Sequence, residues 1–356
     1  MTRKIGLALS GGGFRATAFG LGALRALHDR DLLHHVSVVS GISGGSLLTA
    51  MWAYGPERFD EFDDSVTALL RTGLQAELAR RAFTPRAASR SALSAARALG
   101  SRTARIYSRT EALVEALAAR PFGAKPVTDT THSGLDTILS ATDMRTGTAV
   151  RFGNTLSAAS RYGTIADTVT VADAVAASAA FPVLLPALRR EYQILGRDGS
   201  TRSQAFALTD GGVYDNLGLA PLLPGRTAEH NGHVYDLDYI VTVDAGRGIA
   251  DRKAARFMLG RLAQSFDITH TKSQDAARNR IHLANESSEL RGFVHVYLGM
   301  HDARLPSPIA DLRTRDSVAK FPTNFAAMSA SDFESITIRG EQLTRNLLSA
   351  YVPDMG

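Results

Sequence analysis

Short apolar runs alternate along this chain with longer segments whose apolar residues recur at helical spacing. Residues 5–9 and 36–40 are apolar runs of strand length, and the leucines between them recur every three or four positions. This pattern predicts a strand–helix–strand unit with a helix over 16–28. Its two strands should be parallel and joined by a right-handed connection.

The same alternation continues to the end of the chain. It predicts strands over 206–209, 239–244 and 292–298, a strand pair over 135–143 and 149–152, and helices over 171–180 and 331–351. Alternating strands and helices are typical of layered α/β folds. We therefore predict an α/β fold class: a single three-layer α/β/α domain over residues 1–356, with a mainly parallel central sheet.

Residues 60–125 interrupt this alternation with a helical pattern. Phe62, Val66 and Leu70 recur at helical spacing, and residues 111–119 favour a helix. We interpret 60–125 as a basic helical insertion that caps the cleft.

The net charge of +5 is concentrated in that insertion. Residues 80 to 109 contain eight arginines and no acid, so the rest of the chain carries 5 − 8 = −3. The eight are Arg80, Arg81, Arg86, Arg90, Arg97, Arg102, Arg105 and Arg109. One interpretation is a basic amphipathic arm that contacts an anionic membrane surface. The other is a solvated helical face with no partner, and nucleic acid is disfavoured because stacking aromatic residues are nearly absent there.

Composition limits the chemistry further. The chain has no cysteine, which excludes disulfides, thiolate metal sites and a catalytic thiol. No stretch of about 18 apolar residues predicts a membrane span, and the first residues do not resemble a signal peptide. No zinc or calcium spacing is present, so we expect no metal and no cofactor. The high alanine and arginine content is typical of a GC-rich bacterial genome.

A candidate nucleophile follows the second predicted strand. Residues 41–45 have the pattern Gly-x-Ser-x-Gly, with Ser43 at its centre and an apolar helix-length run after it. Strand, sharp turn and helix form the context of a nucleophile elbow. Gly41 and Gly45 would prevent side-chain collisions around the strained serine. The alternative is a glycine-rich loop without chemistry.

A glycine triplet follows the first predicted strand. Gly11, Gly12 and Gly13 stand directly before the first predicted helix, where exposed backbone N–H groups favour negative charge. The triplet could hold a dinucleotide pyrophosphate, because Gly11-x-Gly13-x-x-Ala16 fits that motif. It could equally form an oxyanion hole. The next strand delivers Ser43 and not the acidic residue that a dinucleotide site requires, which favours the oxyanion hole.

A candidate carboxylate lies much later in the chain. The predicted strand 206–209 leads into Asp210, Gly211 and Gly212. A carboxylate followed by two glycines can approach another loop closely. Taken alone, the Asp-Gly pair is more typical of an ordinary turn.

Together these elements resemble the patatin-like phospholipases. The shared pattern is Gly-Gly-Gly-x-Arg at 11–15, Gly-x-Ser-x-Gly at 41–45, an Ala-Ser-x-Ala block at 177–180 and Asp-Gly-Gly at 210–212, in family order. The stretch 10–16 is also similar to the related cytosolic phospholipase A group. The likeness covers residues 5 to about 218, and 60–125 and the C-terminal third match no motif.

The resemblance implies a Ser–Asp dyad in place of a Ser–His–Asp triad. Ser43 would be the nucleophile, Asp210 its base, and Gly11, Gly12 and Gly13 the oxyanion loop. Arg15 matches an arginine that faces substrate phosphate in the cytosolic group, although it could simply fix the loop.

A dyad needs Asp210 in a poorly solvated cleft, because an exposed carboxylate is a weak base. A triad remains the alternative, since six histidines follow Asp210 in the chain order of α/β-hydrolases. Of these, His295 lies in a strand-like run, and His301 is the better candidate because a loop should begin there.

The sequence therefore predicts a serine acyl hydrolase that cleaves fatty-acyl esters of glycerophospholipids. The alternatives are a soluble carboxylesterase or lipase with a triad, and a non-catalytic protein that binds lipid surfaces. We expect a lipid ester substrate, contact with an anionic membrane surface and no nucleic acid. The expected location is cytoplasmic or peripheral to a membrane, which is compatible with non-classical secretion as an effector. Acyl-chain preference, an activating partner and oligomeric state are not predicted.

Overall fold

The structure, a computed structural model, describes residues 3–82, 108–182, 184–228, 231–248 and 257–355. The described residues form ten strands that belong to one sheet. The strands are β1 (Ile5–Leu9), β2 (Val36–Gly41), β3 (Asp136–Asp143), β4 (Thr148–Phe152), β5 (Ala158–Ala159), β6 (Gly163–Ile165), β7 (Leu188–Leu195), β8 (Thr201–Asp210), β9 (Tyr239–Asp244) and β10 (Gly292–Tyr297).

Helices connect and cover these strands. The α-helices are α1 (Gly13–Asp29), α2 (Gly44–Tyr54), α3 (Phe59–Thr72), α4 (Gln75–Ala82), α5 (Arg109–Leu117), α6 (Val171–Ser178), α7 (Gly212–Asp215), α8 (Met258–Glu286), α9 (Arg315–Val318) and α10 (Ala330–Tyr351). Among the described helices, none combines the length and the apolar character needed to cross a bilayer.

The centre of the sheet is parallel, as the sequence predicts. Its order is β10–β9–β1–β2–β3, and every neighbouring pair in this half runs in the same direction. In β1, Ala8 lies opposite Ser40 of β2 and Thr242 of β9. Parallel strands place their carboxyl ends at one edge of the sheet, where α/β folds carry their sites. Ser43, which follows β2, and the glycine triplet, which follows β1, therefore share that edge.

The other half of the sheet is antiparallel, and only its strand pair β3–β4 and the end of β8 were predicted from the sequence. Each strand from β3 to β7 pairs with its successor in antiparallel fashion. Strand β8 also returns to pair with β3, with Asp210 opposite Ala141. The six strands thus close into a ring. This closure brings the end of β8 beside the parallel half of the sheet and fixes the position of Asp210.

Two apolar clusters cover the two faces of the parallel strands. Leu7 and Leu9 pack into the larger cluster with residues of α1, α2 and α10. Ala8 points to the opposite face and packs with Leu219 and with Ile281 of α8. Because successive strand residues alternate between faces, the sheet lies between two covering layers. The predicted three-layer α/β/α class is confirmed.

The segment predicted as an insertion is helical where it is described. In α3, Phe62, Val66 and Leu70 are fully buried, and α5 is fixed to the sheet because Arg190 of β7 forms ion pairs with Glu111. Of the arginines between 80 and 109, those at 86, 90, 97, 102 and 105 lie outside the described residues. A cap over the cleft and contact with an anionic membrane therefore stay predictions.

Candidate active site

Ser43 lies at a sharp turn between β2 and α2. Its backbone has φ +52° and ψ −116°, a strained conformation for a residue other than glycine. The turn is crowded, because a Cβ on Gly45 would come within 2.2 Å of the Leu9 carbonyl oxygen. Ser43 also directly precedes the first residue of α2, so its hydroxyl lies near the positive end of a helix dipole.

The glycine triplet touches this turn. A Cβ on Gly44 would come within 2.0 Å of the Gly13 carbonyl oxygen, so the two loops are in backbone contact. Gly12 and Gly13 both have positive φ values, +146° and +58°. Thr17 of α1 strengthens the contact, since its hydroxyl donates to the Gly44 carbonyl at 2.9 Å.

The three glycines differ in their free N–H groups. The Gly11 N–H donates to the Asn216 carbonyl at 3.0 Å, which ties the triplet to the segment after Asp210. In the described part of the chain, no acceptor is found for the N–H groups of Gly12 and Gly13. This is expected at the start of a helix, whose first N–H groups have no intrahelical partner. These two donors are available for an anion, and Gly11 is not.

Asp210 ends β8 and is buried. Its Oδ1 accepts a hydrogen bond from the Gly212 N–H at 2.7 Å, and its own N–H donates to the Ala180 carbonyl at 3.0 Å. Burial raises the pKa of Asp210 from 3.8 to about 7, against the opposing effect of hydrogen bonds from Gly212 and Ser43. A carboxyl group with a pKa near neutrality can exchange a proton at physiological pH.

The Ser43 hydroxyl lies close enough to the Asp210 carboxyl group to lower the pKa of that group. The two residues are separated by 166 others in the chain, and only the pairing of β8 with β3 brings them together. In a hydrogen bond between the two groups the serine hydroxyl is the donor, because a carboxylate oxygen can only accept. The candidate nucleophile and the candidate base are therefore neighbours in the fold.

The histidines proposed for a triad lie elsewhere. His295 of β10 bonds through Nε2 to Oδ2 of Asp244 at 3.1 Å, and two strands, β9 and β1, separate β10 from β2. His301 is exposed at the start of a short 3₁₀ helix. His230 lies outside the described residues. Among the described side chains, no histidine is found hydrogen bonded to Ser43 or Asp210.

Ser178 stabilises the turn at Ser43 through hydrogen bonds. This role was not predicted from the sequence. It is fully buried at the end of α6. Its hydroxyl accepts a hydrogen bond from the Ser43 N–H at 3.0 Å, bonds the Ser46 hydroxyl at 2.7 Å and donates to the Ser140 carbonyl at 2.6 Å. The Ala-Ser-x-Ala block at 177–180 was the available signal, but the sequence shows no partner for its serine.

Arg15 is buried beneath the glycine triplet. Its Nε donates to the Ala245 carbonyl at 3.0 Å, and its Nη1 donates to the Phe321 carbonyl at 3.0 Å. Burial and the charge of Arg247 lower the pKa of Arg15 to about 10, against the raising effect of Asp244. These contacts fit the alternative in which Arg15 fixes the loop, because its guanidinium is held by two backbone carbonyl groups. A role in binding substrate phosphate stays a prediction.

A metal site is not evident in the same region. Across the described residues, no group of three or more His, Asp or Glu side chains is arranged to hold a metal ion.

A serine on a strand-to-helix turn of a mixed α/β fold, beside a buried carboxyl group, is an arrangement typical of α/β serine hydrolases. The family model of the patatin-like phospholipases matches residues 7–223, which is more than half of the chain. The chain therefore belongs to the patatin-like phospholipase family. The matched range contains the glycine triplet, Ser43 and Asp210.

Solved structures agree with this fold. The chain is similar to human GIVD cytosolic phospholipase A2 with a TM-score of 0.58 and 13% identity, over 98% of this chain and 59% of the human one. The same human protein in complex with methyl gamma-linolenyl fluorophosphonate gives a TM-score of 0.58 at 13% identity, over 98% and 58%. At this identity the likeness concerns the fold alone, and the chain spans about three fifths of the human protein.

A weaker likeness links the chain to VipD from Legionella pneumophila, with a TM-score of 0.44 and 16% identity, over 98% of this chain and 67% of VipD. No curated protein sequence matches the chain.

Proposed function

We propose that the protein is a serine acyl hydrolase that cleaves fatty-acyl esters of glycerophospholipids with a Ser43–Asp210 dyad. The observation that carries this proposal is the position of the buried Asp210 carboxyl group beside the strained turn at Ser43, whose hydroxyl lowers the pKa of that carboxyl group. Family membership supports a lipid ester as the substrate.

The first half of the reaction forms an acyl-enzyme. Asp210 accepts the proton of the Ser43 hydroxyl while Oγ attacks the ester carbonyl carbon. The carbonyl oxygen becomes an oxyanion, and the N–H groups of Gly12 and Gly13 donate to it. Collapse of this intermediate breaks the ester bond, and the leaving alcohol takes the proton from Asp210. The positive end of α2 further favours the negative charge beside Ser43.

The second half releases the fatty acid. A water molecule gives its proton to Asp210 and attacks the acyl carbonyl, and the same two N–H groups stabilise the second oxyanion. The proton then returns from Asp210 to Ser43 as the acyl bond breaks. One carboxyl group serves as base and acid in turn, which suits a pKa that burial raises to about 7.

Exposed apolar side chains near the site support a lipid substrate. Met144, Leu184, Val213 and Tyr214 are between 39% and 60% exposed. Val213 and Tyr214 follow Asp210 by three and four positions, Leu184 follows by four the residue whose carbonyl accepts the Asp210 N–H, and Met144 follows by three the strand partner of Asp210. Large apolar side chains exposed beside an active site are typical of surfaces that meet lipid. We propose that these four side chains receive the acyl chains or the lipid surface.

The test compares a micellar phospholipid with a soluble short-chain nitrophenyl ester. We expect hydrolysis of both by the wild type, with preference for the micellar substrate, and loss of both in Ser43→Ala. Ser37→Ala is the matched control, because Ser37 lies on β2 and is remote from Asp210. Hydrolysis of the soluble ester alone would favour a carboxylesterase. No hydrolysis of either would favour a lipid-surface binding protein.

A further inference from the structure

A polar cavity lies on the antiparallel half of the sheet. Its volume is about 210 Å³, and residues of β4 to β7 and of the segment after Leu223 line it. Its polar lining residues include Arg151, Arg197, Arg226, Asn231 and His233. The glycine triplet does not line this cavity, and neither does Arg15, Ser43, Ser178 or Asp210. The cavity is therefore separate from the candidate active site.

Arg151 is the central group of this cavity. It lies on β4 between Ser140 of β3 and Ala158 of β5, and it is only 6% exposed. Its Nε is buried without a hydrogen-bond partner. Within the described residues, its guanidinium forms no ion pair. A buried donor without an acceptor is disfavoured, so the Nε of Arg151 is suited to bind an anion.

The carboxylate of Asp215 on α7 does not fill that role. Burial lowers the pKa of the Arg151 guanidinium, and the charges of Tyr214 and Asp215 oppose this effect only in part. Its two carboxylate oxygens accept hydrogen bonds from the backbone N–H groups of Leu217 at 3.1 Å and of Ala220 at 2.7 Å. Both carboxylate oxygens of Asp215 therefore already accept hydrogen bonds within its own loop.

The other polar lining residues add a second positive charge, and hydrogen bonds fix their side chains in place. Arg226 donates from Nε to the His233 carbonyl at 3.1 Å and from Nη1 to the Ala220 carbonyl at 3.0 Å, which fixes its guanidinium at the cavity. Burial and the charge of Arg151 lower the pKa of His233 to about 4, so it is neutral at physiological pH and its Nε2 donates to the Leu156 carbonyl. Among the described lining residues, none is acidic.

We propose that this cavity binds a phosphate group between Arg151 and Arg226. A guanidinium matches phosphate oxygens with two parallel hydrogen bonds, and two guanidinium groups suit a dianion better than a carboxylate. Pockets for drug-sized ligands occupy about 300–1,000 Å³, so a cavity of about 210 Å³ fits a compact anion. The site does not depend on the proposed hydrolase activity.

Two sources could supply this phosphate group, namely free inorganic phosphate and a glycerophosphate headgroup. They differ in the glycerol moiety, which only the headgroup brings. Isothermal titration with inorganic phosphate and with sn-glycerol 3-phosphate, at constant ionic strength, distinguishes them. Tighter binding of glycerol 3-phosphate assigns the headgroup, and tighter binding of inorganic phosphate assigns the free ion.

The decisive variant is Arg151→Gln, which removes the charge and keeps much of the length. We expect it to weaken phosphate binding by about tenfold or more, because a charge-assisted bidentate contact is lost. Arg189→Gln is the control, since Arg189 is an exposed arginine on β7, and it should bind phosphate as the wild type does. Arg226→Gln should also weaken binding and serves as the second variant if Arg151→Gln does not fold.

The same titrations can overturn the proposal. A wild type that binds neither probe in a saturable way, or that binds chloride as well as phosphate, would contradict a phosphate site. Equal affinity in the wild type, Arg151→Gln and Arg226→Gln would place the binding elsewhere on the molecule.

Discussion

Replacing Asp210 with asparagine should stabilise the protein at high pH while it removes activity. The native state holds this carboxyl group in a buried position that raises its pKa from 3.8 to about 7. Between these two values the unfolded chain releases the proton and the folded chain retains it. Stability from this group is therefore fully present below pH 3.8 and is lost as the pH rises through about 7.

The magnitude follows from the same pKa. The difference between 3.8 and about 7 spans about three pH units, and one unit corresponds to about 1.36 kcal/mol. Ionised Asp210 thus lowers the free energy of unfolding by about 4 kcal/mol at most above pH 7. Asparagine keeps the shape and cannot ionise. Its carbonyl oxygen can still accept from the Gly212 N–H, and its amide can donate to the Ser43 hydroxyl.

The assay is urea unfolding at pH 5 and at pH 8.5. We expect the stability difference between Asp210→Asn and the wild type to be larger at pH 8.5 by a few kcal/mol. Asp236→Asn is the control, because Asp236 is exposed, and it should change stability little at either pH. If the difference between Asp210→Asn and the wild type were the same at both pH values, Asp210 would not be a buried carboxyl group with a raised pKa.

Three further predictions concern the site. For the wild type on a soluble ester, kcat/KM should fall about tenfold per pH unit below pH 7, because protonated Asp210 cannot act as a base. A flat profile between pH 5 and 7 would contradict this prediction. Ser178→Ala removes three buried hydrogen bonds, so the free energy of unfolding measured in urea should fall by about 2–4 kcal/mol. We also expect kcat to fall. Unchanged stability and kcat would count against a positioning role for Ser178. Arg15→Ala should reduce kcat/KM on phospholipid and on the soluble ester in parallel, because Arg15 fixes the loop after the glycine triplet to the carbonyl groups of Ala245 and Phe321. A loss of activity on phospholipid alone would instead indicate that Arg15 binds phosphate.

The parallel half of the fold could be predicted from the sequence because its strands are buried on both faces. Such strands appear as uninterrupted apolar runs, and Tyr239–Asp244 was predicted to the residue. The elbow at Ser43 could also be predicted, because strand, turn and helix are contiguous in the chain. In both cases the information is local.

Strand β7 could not be predicted because its pattern of buried positions includes a charge. Leu188, Arg190, Tyr192 and Ile194 face the interior, and the arginine breaks the apolar alternation. Arg190 is tolerated there because it forms ion pairs with acids that lie far away in the chain, on α5 and α6. Helix α8 was missed for a related reason. Of its described side chains, only those at 281 and 284 are buried, so its periodicity is weak.

The partnership of Ser43 and Asp210 depended on the family resemblance alone. Locally, Asp210 with its two glycines is indistinguishable from a turn. Its proximity to Ser43 arises from the long-range pairing of β8 with β3, which local periodicity does not encode. The same holds for Ser178, whose three partners come from β3, from the turn itself and from α2.

The most direct test of the central claim is to locate the covalent adduct of a fluorophosphonate by mass spectrometry. Oγ of an activated serine attacks phosphorus and displaces fluoride, and the human cytosolic phospholipase A2 that shares this fold has been solved with such a compound. We predict a single phosphonyl adduct on Ser43 in the wild type and none in Ser43→Ala. An adduct on another serine, or equal labelling of the Ser43→Ala variant, would contradict the assignment of Ser43 as the nucleophile.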